Sequence, residues 1–425
     1  MKKLRRFVSR TVFIWGLFAN LPPSFFLVKQ MPWLDVLARA LSPVTAVLSI
    51  LITPLNIWRR DGLASLMGLL GGGLALRHIQ QTTAPQDDHF SAAFGPDWQS
   101  HIPAEVASRM QQRRYTPLPP TPPQADWQRD VVIGRHEETG DPLLADLWQP
   151  AVGVPRSGLA ILYLHGSAWH YLDKDYGTRP FFNHLAAQGH VVLDVAYTLA
   201  PKAQLRAMVA DVKRAIVWLK ENAPRLQTSK VVLMGGSAGG HLAMLAGFTP
   251  NHPVFQPDDV GDADTSVTAV VSFYGISDMV GLHEDMAAMK SPPAEMEAPV
   301  TRFFRRIRLL PPDGEFTAPA QFMPNLLGGL PDEVPGEYQI GSPLAHMGRQ
   351  CPPTLLINGA HDFGVYTYHH REVYAGLRKL GVTAVHIELP LTEHGFDLIF
   401  PRISPAAQSA WYDTDRFLGL VAGSW

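Results

Sequence analysis

The chain has 425 residues, of which 46% are hydrophobic and 17% are charged, and its formal net charge is -2. Because single domains rarely grow beyond roughly 250–300 residues, this length predicts one large domain and an additional segment. The near-neutral charge offers no global field that would attract nucleic acid, so no nucleic-acid partner is expected. The charged fraction is below the roughly 25% of soluble domains, which indicates an apolar region. The single cysteine, Cys351, excludes an intrachain disulfide.

Apolar residues are concentrated in three runs near the start of the chain. The first run follows the basic sequence Met-Lys-Lys-Leu-Arg-Arg and covers residues 11–19. The second run covers residues 34–58, and the third covers residues 63–76 and contains three consecutive glycines. A helix needs ~20 apolar residues to cross a membrane, so we predict one span in the second run. The other two runs are weaker candidates for a span, and the third could instead complete a helical hairpin or lie in the interface.

Residues 1–78 are therefore predicted to form a helical segment that anchors the chain in a membrane. A cleaved signal peptide would explain only the first run, because apolar segments continue beyond any cleavage point. A helical hairpin buried against the rest of the protein is the other alternative. Basic residues flank several runs, which favours a cytoplasmic N-terminus but does not decide on which side the following domain lies.

The chain becomes polar after residue 78, and Thr-Pro-Leu-Pro-Pro-Thr-Pro-Pro at residues 116–123 is too rich in proline for helix or sheet. We assign residues 79–127 to a proline-rich linker and residues 128–425 to one domain. Short apolar runs alternate there with amphipathic helical patterns, which predicts an α/β fold with a mostly parallel sheet and helices on both faces. The strand candidates are residues 159–164, 191–195, 231–234, 267–273, 354–357 and 385–389, and the helix candidates are residues 208–219 and 368–380.

A glycine-rich turn follows the third strand candidate. Gly-Gly-Ser-Ala-Gly at residues 235–239 has the G-x-S-x-G pattern, with a predicted strand before it and a predicted helix after it. In such a turn the glycines allow a tight backbone, and the serine is held in a strained conformation with its hydroxyl exposed. We therefore predict that Ser237 is a nucleophile. An idle serine in a glycine-rich turn is the alternative.

The first strand candidate runs into a loop of small residues, Leu-His-Gly-Ser-Ala-Trp at residues 164–169. Attack on a carbonyl group builds negative charge on its oxygen, and backbone N–H groups that already point at this oxygen stabilise the charge. We predict that the N–H groups of Gly166, Ser167 and Ala238 form such an oxyanion hole. His165 is expected to brace the loop through hydrogen bonds.

His394 is the candidate general base, because it lies in a polar loop after the last strand candidate. The chain order of such sites is nucleophile, acid and histidine, and Asp362 follows a strand between the other two. A buried carboxylate at Asp362 would hold the imidazole in the required tautomer. Three other carboxylates stay open as the acid. Asp397 and Glu393 are close to His394 in the chain, and Asp278 follows an earlier strand.

Together these motifs resemble the hormone-sensitive-lipase-like branch of the α/β-hydrolases, which includes bacterial carboxylesterases and membrane-anchored arylacetamide deacetylases. The resemblance covers residues 128–422 and rests on seven motifs in the family's order. They are Leu-His-Gly-Ser-Ala-Trp (164–169), Val-Ala-Tyr-Thr-Leu-Ala-Pro (195–201), Asp-Val-Lys-Arg-Ala-Ile-Val-Trp-Leu (211–219), Gly-Gly-Ser-Ala-Gly (235–239), Ser-Pro-Leu-Ala-His (342–346), Pro-Pro-Thr-Leu-Leu-Ile-Asn-Gly (352–359) and Glu-His-Gly-Phe (393–396).

The resemblance implies a serine carboxylesterase that cleaves carboxylic esters through a Ser-His-Asp triad and an acyl-enzyme, without a metal or an organic cofactor. Its expected partners are a small-molecule or lipid ester substrate and, through the N-terminal segment, a membrane. The oligomeric state is left open. Amide deacetylation, acyl transfer to an alcohol, peptide hydrolysis by the same residues and a non-catalytic binding protein with this fold are the alternatives.

The chain departs from the family in two places. The family loop usually reads His-Gly-Gly-Gly, whereas this chain has Ser167 and Ala168, which keep the N–H groups and add bulk. Residues 277–338 replace a short connection with a long insertion rich in Met and Pro, and such insertions are usually functional or disordered. We predict a cap or lid there. Its basic and apolar part, residues 302–310, is expected to contact a membrane surface or an acidic substrate, or to form a solvated helix.

Overall fold

The computed structural model describes residues 2–22, 32–137, 139–288 and 319–423. Within these residues eight strands form one sheet, in the order β1-β2-β4-β3-β5-β6-β7-β8. The strands are β1 (Asp126–Arg135), β2 (Pro142–Gln149), β3 (Leu159–Leu164), β4 (Val191–Val195), β5 (Lys230–Gly236), β6 (Ala269–Phe273), β7 (Thr354–Gly359) and β8 (Ala384–Leu389). β2 is antiparallel to β1 and β4, and the other neighbouring strands are parallel.

The helices of the described residues fall into an N-terminal group and a group around the sheet. The N-terminal helices are α1 (Lys2–Phe18), α2 (Pro32–Ala40), α3 (Ser42–Trp58) and α4 (Gly62–Thr82). The others are α5 (Asp87–Phe94), α6 (Ala104–Arg109), α7 (Arg179–Ala187), α8 (Leu205–Glu221), α9 (Ala223–Leu226), α10 (Ala238–Phe248), α11 (Met279–Ala288), α12 (Pro319–Leu327), α13 (Pro335–Ile340), α14 (Tyr368–Lys379) and α15 (Pro405–Ala422).

Two hydrophobic layers enclose the sheet. Alternate side chains of β3 enter opposite layers, so that Leu162 packs with α8, α10 and α14, whereas Ile161 packs with α7 and α15. Because both faces are covered, β3 and β4 are buried along their whole length. All six predicted strands are present, and β3 and β4 have the predicted bounds. The α/β fold with helices on both faces is therefore confirmed.

The sequence analysis missed the first two strands of the sheet. β1 forms an edge, and its residues are mostly exposed or half-buried, so it lacks the apolar run that marked the central strands. It also begins at Asp126, inside the segment predicted as a linker. β2 is largely buried, but it pairs antiparallel with both neighbours and stands outside the β-α alternation that guided the prediction.

The structure divides the predicted membrane span over residues 34–58 into two parts. This run is two helices, α2 and α3, which are bent by 65° at a break around Leu41. Pro43 lies in the first turn of α3, where its missing N–H costs no hydrogen bond, and a proline there prevents α2 from continuing. The single described helix that is long and apolar enough to cross a membrane is instead α4, which extends the third predicted run to 21 residues.

Helices α1, α3 and α4 pack on one another and are called the N-terminal bundle below. Their buried contacts involve small residues, because an added Cβ on Gly16 would lie 2.4 Å from the carbonyl oxygen of Gly71. The buried residues of α3 and α4 are Ser42, Thr45, Ala46, Ser49, Thr53, Asn56, Ala64, Ser65, Gly68, Gly71, Gly72, Ala75, His78 and Thr82. The exposed large apolar residues of the bundle are Leu4, Phe7, Ile14, Leu17, Val44, Val47, Leu48, Ile50, Leu51, Ile57, Trp58, Leu63, Leu66, Leu69, Leu70 and Leu76.

Residues 79–127, predicted as a linker, pack against the domain over much of their length. Phe90, Trp98, Ile102, Val106 and Met110 are buried in the same hydrophobic layer as α15. The segment therefore extends the core beyond the predicted domain start. Its alternating short helices and loops carry too few apolar residues for their burial to be visible in the sequence pattern.

The predicted cap over residues 277–338 is described only at its two ends. The first end is α11, and the second comprises α12 and α13, which pack on the layer that contains α8 through Met323, Leu326 and Tyr338. Residues 289–318, with the basic and apolar part at 302–310, lie outside the described residues.

Candidate active site

Ser237 lies in the turn between β5 and α10, where the G-x-S-x-G pattern predicted it. Its φ of 54° and ψ of -121° are strained for a residue with a Cβ, and its N–H donates to the carbonyl oxygen of Phe273 at 2.9 Å. The turn requires glycine at position 239, because an added Cβ would lie 1.9 Å from the carbonyl oxygen of Leu164. The close packing of β3 against the turn thus fixes the serine at the end of a central strand.

A chain of hydrogen-bonding distances joins the three residues predicted as nucleophile, base and acid. Nε2 of His394 lies 3.1 Å from Oγ of Ser237. Nδ1 of the same ring lies 2.9 Å and 3.0 Å from the two carboxylate oxygens of Asp362. The N–H groups of Gly364 and Val365 each donate to Oδ1 of Asp362 at 2.8 Å, which fixes the orientation of this buried carboxylate.

The three competing carboxylates have other partners. Asp397 accepts a hydrogen bond from the hydroxyl of Tyr274, and Glu393 accepts one from Arg39 at 2.7 Å. Asp278 accepts from the N–H of Val280 at 3.0 Å. Among the residues that the structure describes, Asp362 is the carboxylate hydrogen-bonded to His394, in line with the first choice of the sequence analysis.

The ring of His394 is packed between two residues that the sequence analysis did not single out. The ring centroid of Tyr274 lies 4.5 Å from that of His394. On Gly364, an added Cβ would lie 3.1 Å from Cγ of His394, so a side chain here would push against the imidazole. Neither residue carries a sequence signal, because Tyr274 simply follows β6 and Gly364 lies in a loop.

The loop predicted to form the oxyanion hole lies against the nucleophile turn. An added Cβ on Gly166 would lie 2.9 Å from the carbonyl oxygen of Gly236 and 3.3 Å from Cβ of Ser237. Ala238, the third predicted contributor, is the first residue of α10, where N–H groups have no partner within the helix. The three predicted donors are thus on the two segments that surround Ser237.

Three consecutive residues of this loop have positive φ, namely Ser167 (96°), Ala168 (53°) and Trp169 (61°). This conformation favours glycine, which explains why the resembling family carries glycines at this loop. In this chain the conformation is held by tertiary contacts. The indole N–H of Trp169 donates to Nδ1 of His241 at 3.3 Å, and the carbonyl of Trp169 accepts from the N–H of Ala200 at 2.9 Å.

His165 and Tyr197 brace the start of the loop. Nδ1 of His165 is 3.0 Å from the carbonyl oxygen of Gly166, and its ring stacks on Tyr197 at 4.4 Å. The Tyr197 hydroxyl donates to the carbonyl of His165 at 2.9 Å. Burial lowers the pKa of His165, so the ring is neutral and can donate from Nδ1. The bracing role expected for His165 is observed, and Tyr197 belongs to the second of the seven motifs.

The described end of the cap insertion contacts the same loop. The ring of Phe322 in α12 lies 4.9 Å from that of His170 and 6.0 Å from that of Tyr171. Both partners directly follow the positive-φ residues. Side chains of the insertion therefore line the surroundings of the site on the side of the oxyanion loop.

This strand order, with a serine in a G-x-S-x-G turn after β5, defines an α/β-hydrolase fold. An esterase structure from Thermogutta terrifontis with bound propionate has the same fold, with a TM-score of 0.51 and 21% sequence identity, over 71% of this chain and 95% of that chain. The chain belongs to the BD-FAE family, whose model matches residues 146–377.

Two curated relatives come from Mycobacterium tuberculosis (strain ATCC 25618 / H37Rv). Esterase LipQ is 27% identical over 339 residues, which cover 78% of this chain and 73% of LipQ. The probable carboxylic ester hydrolase LipM is 31% identical over 258 residues, which cover 60% of this chain and 53% of LipM. The chain therefore matches about half the length of LipM and most of LipQ.

Proposed function

We propose that Ser237, His394 and Asp362 form the catalytic triad of a carboxylesterase. By its family and its relatives the chain is an ester-hydrolysing serine hydrolase. The observation that carries the assignment of residues is the continuous set of contacts from Asp362 through His394 to Ser237. The geometry has each ring nitrogen of His394 within hydrogen-bonding distance of one partner, as the triad mechanism requires.

In the first half of the reaction, Nε2 of His394 accepts the proton of the Ser237 hydroxyl while Oγ attacks the ester carbonyl carbon. The alcohol leaves with the proton from His394, and the acyl group stays on Ser237. In the second half, His394 takes a proton from water as the water oxygen attacks the acyl carbon. Oγ of Ser237 then leaves with the proton from His394, which releases the carboxylic acid and restores the free enzyme. Asp362 accepts from Nδ1–H throughout and stabilises the imidazolium that forms in each half.

The negative charge on the carbonyl oxygen is stabilised by the N–H groups of Gly166, Ser167 and Ala238 in this proposal. Support comes from the contact of the Gly166 backbone with the nucleophile turn and from the place of Ala238 at the start of α10. Loss of one such donor typically costs ~3–4 kcal/mol of transition-state stabilisation. The tertiary contacts of Trp169 with His241 and Ala200 keep these donors in place before substrate binds.

We further propose that the N-terminal bundle lies in a membrane. The large apolar side chains of α1, α3 and α4 point outwards, whereas their buried faces carry glycine, alanine and small polar residues. A helical bundle in water has the opposite arrangement, with large apolar residues in its centre. Small residues that allow close backbone approach are typical of helices that associate within lipid.

A membrane location favours substrates that partition into lipid, so hydrophobic and lipid esters are the proposed substrate class. The end of the cap insertion that contains α12 would then bound the acyl site, a role supported by the contacts of Phe322 with His170 and Tyr171. Acyl groups of medium length are the first to examine, because an aromatic wall beside the oxyanion loop offers apolar contact beyond the ester carbonyl.

The proposed function is tested by labelling the full-length protein in detergent with a fluorophosphonate, beside Ser237→Ala and His394→Ala. Hydrolysis of nitrophenyl esters of increasing acyl length is measured on the same samples. We expect labelling and turnover to disappear in Ser237→Ala and to fall by several orders of magnitude in His394→Ala. A Ser237→Ala protein that still hydrolyses esters would exclude this triad. A folded wild-type protein that acts on amides but on no ester would replace the esterase proposal by an amidase.

The membrane proposal is tested separately, by extraction of membranes from expressing cells with alkaline carbonate and by flotation with liposomes. We expect the full-length chain to stay in the lipid fraction after both treatments. Recovery of the folded chain in the aqueous fraction would contradict the proposal and favour a bundle that is covered by another protein.

A further inference from the structure

The guanidinium group of Arg39, at the end of α2, contacts the residues that precede the acid and the base in the chain. Its Nη1 donates to Oε1 of Glu393 at 2.7 Å, and Glu393 is followed by His394. Its Nη2 donates to Nδ1 of His361 at 2.9 Å, and His361 is followed by Asp362. One side chain of the N-terminal helices thus bridges the two loops that carry two members of the proposed triad.

These contacts are buried. The Arg39 and Glu393 side chains are only 4% and 1% exposed, and Oδ2 of the fully buried Asp35 lies 3.0 Å from Nη2 of Arg39. Burial, together with the neighbouring Asp35 carboxyl, raises the pKa of Glu393 above the usual carboxyl range. Asp35 and Glu393 are the two carboxyl groups that face the Arg39 cation. A buried cation of this kind is costly to leave without its partners.

His361 is in the form that can accept a hydrogen bond from Arg39. Burial and the positive charge of Arg39 lower the pKa of His361 to about 4, so the ring is neutral at neutral pH. The backbone N–H of His361 also donates to the carbonyl of Thr392 at 2.9 Å. This bond joins the loop that carries Asp362 (residues 360–367, called the acid loop) directly to the loop that carries His394 (residues 390–404, called the base loop). The two loops and Arg39 therefore form one connected network.

Helix α4 binds the base loop at a second point. Nε2 of His78 lies 3.2 Å from the carbonyl oxygen of Leu391, and the hydroxyl of Thr82 donates to the carbonyl of Pro390 at 3.2 Å. Both acceptors lie just before Glu393 and His394 in the chain. The base loop is consequently bound by two N-terminal helices, α2 and α4, and by the acid loop.

We propose that Arg39 is a positioning residue for the esterase reaction. Through its contacts with Glu393 and His361, Arg39 sets the distance between Asp362 and His394. The inference rests on the proposed triad. Displacement of catalytic groups by ~1 Å can cost on the order of 100-fold in rate. In this chain α2, which directly precedes the bundle helix α3, would then hold the catalytic loops in their active geometry.

The inference is tested with full-length protein in detergent, using Arg39→Met, Arg39→Lys and the control Arg6→Met. Arg6 of α1 pairs with Asp61, the residue before α4, and its contacts do not involve the catalytic loops. For a nitrophenyl ester we expect kcat to fall roughly 10- to 100-fold in Arg39→Met, with little change of KM. The acid limb of its pH profile should also be displaced. Arg39→Lys should recover part of kcat, and Arg6→Met should resemble the wild type.

Thermal unfolding of each variant separates a loss of positioning from a loss of folding. If Arg39→Met does not fold, the inference is tested with Arg39→Lys. A lowered kcat of Arg39→Lys, at unchanged KM and unchanged melting temperature, supports the inference. A folded Arg39→Met with the wild-type kcat and pH profile would overturn it, and if Arg39→Met does not fold, the same result for Arg39→Lys would overturn it. Ser237→Ala is measured beside them. If Ser237→Ala keeps its turnover, the assignment of the triad is wrong. If Ser237→Ala is inactive but the Arg39 variants behave like the wild type, the triad stands and only the proposed role of Arg39 is wrong.

Discussion

Tyr274 donates a hydrogen bond from its hydroxyl to Asp397, a fully buried carboxyl group in the loop that follows His394. Burial raises the pKa of Asp397 to about 6 and the pKa of Tyr274 well above its usual value. The ring of Tyr274 also packs on the His394 imidazole, at 4.5 Å between centroids. Asp397, which is close to His394 in the chain, is thus hydrogen-bonded to Tyr274, whereas Asp362 contacts the imidazole.

This division predicts that the acid is Asp362 and that a competing carboxylate can be replaced without comparable loss. We expect Asp362→Asn to lower kcat by ~10³- to 10⁴-fold, because an amide no longer favours the required tautomer of His394. Asp278→Asn is the matched control and should keep kcat within a few-fold of the wild type. Steady-state hydrolysis of a nitrophenyl ester measures both. Equal losses in the two variants would contradict the assignment of the acid.

A second prediction concerns the packing of the nucleophile turn. Gly239→Ala would bring a Cβ to 1.9 Å from the carbonyl oxygen of Leu164, and the backbone of Leu164 cannot retreat because β3 is paired on both sides, with β4 and β5. We expect it to lower the free energy of unfolding by about 3 kcal/mol or more and to abolish turnover. Gly336→Ala is the control, since an added Cβ there meets nothing within 4 Å. Thermal unfolding of both variants measures the difference, and similar melting temperatures would contradict the prediction.

A third prediction concerns pH and His241. Nδ1 of His241 accepts from Trp169, and Nε2 is 2.8 Å from the carbonyl oxygen of Gly341, so only the neutral ring satisfies both contacts. Burial lowers the pKa of His241 to about 4. An unfolded histidine binds a proton near pH 6.5, so the unfolded state takes up more protons between these values. The contribution of His241 is therefore complete above pH 6.5 and falls by up to about 3 kcal/mol as the pH drops towards 4.

Thermal unfolding at a series of pH values tests this prediction. His241→Gln should lower stability at neutral pH and flatten its decline between pH 6.5 and 4. His101→Gln changes a partly exposed histidine and should leave the slope as it is in the wild type. If His241→Gln retained the wild-type slope, the decline would have to come from other buried histidines, such as His190 and His386, whose pKa values burial also lowers to about 4.

A fourth prediction separates the inner and outer faces of α4. Gly71→Ala would place a Cβ 2.5 Å from the carbonyl oxygen of Val12, whereas Gly73→Ala would meet nothing within 4 Å. We expect Gly71→Ala to destabilise the N-terminal bundle by about 1–3 kcal/mol. Gly73→Ala should be neutral or stabilising by up to about 1 kcal/mol, because alanine favours a helix. Protease sensitivity and thermal unfolding in detergent measure both, and equal effects would contradict the close packing of α1 on α4.

The features that the sequence predicted well are those that depend on local patterns. The apolar runs of β3 and β4 are visible because helices cover both of their faces, and the turn around Ser237 is marked by its own glycines. Asp362 and His394 were chosen from their order after strands, and their side chains lie within hydrogen-bonding distance of each other. In contrast, the exposed edge strand β1 has no such run, and the break before Pro43 was hidden within a continuous apolar stretch.

The features that the sequence did not predict depend on distant contacts. Arg39 and Glu393 are 354 positions apart, and nothing in either local sequence indicates a pair. Arg39 lies within the apolar run of residues 34–58 that was predicted to cross a membrane. Its burial against the base loop follows only from the way α2 is folded back on the domain. Tyr274 is a similar case, since its contacts with Asp397 and His394 arise where three loops meet.

The contact between α2 and the base loop bears on how the enzyme can be prepared and how its sequence can change. Removal of the hydrophobic helices to obtain an easily handled soluble fragment would expose Glu393 and His361 to water without the Arg39 cation that now contacts both of them. If Arg39 positions the catalytic loops as proposed, the activity of such a fragment would differ from that of the full-length protein. In the course of evolution, Arg39 and Glu393 would be inherited as a pair, because a change of one leaves the other as a liability.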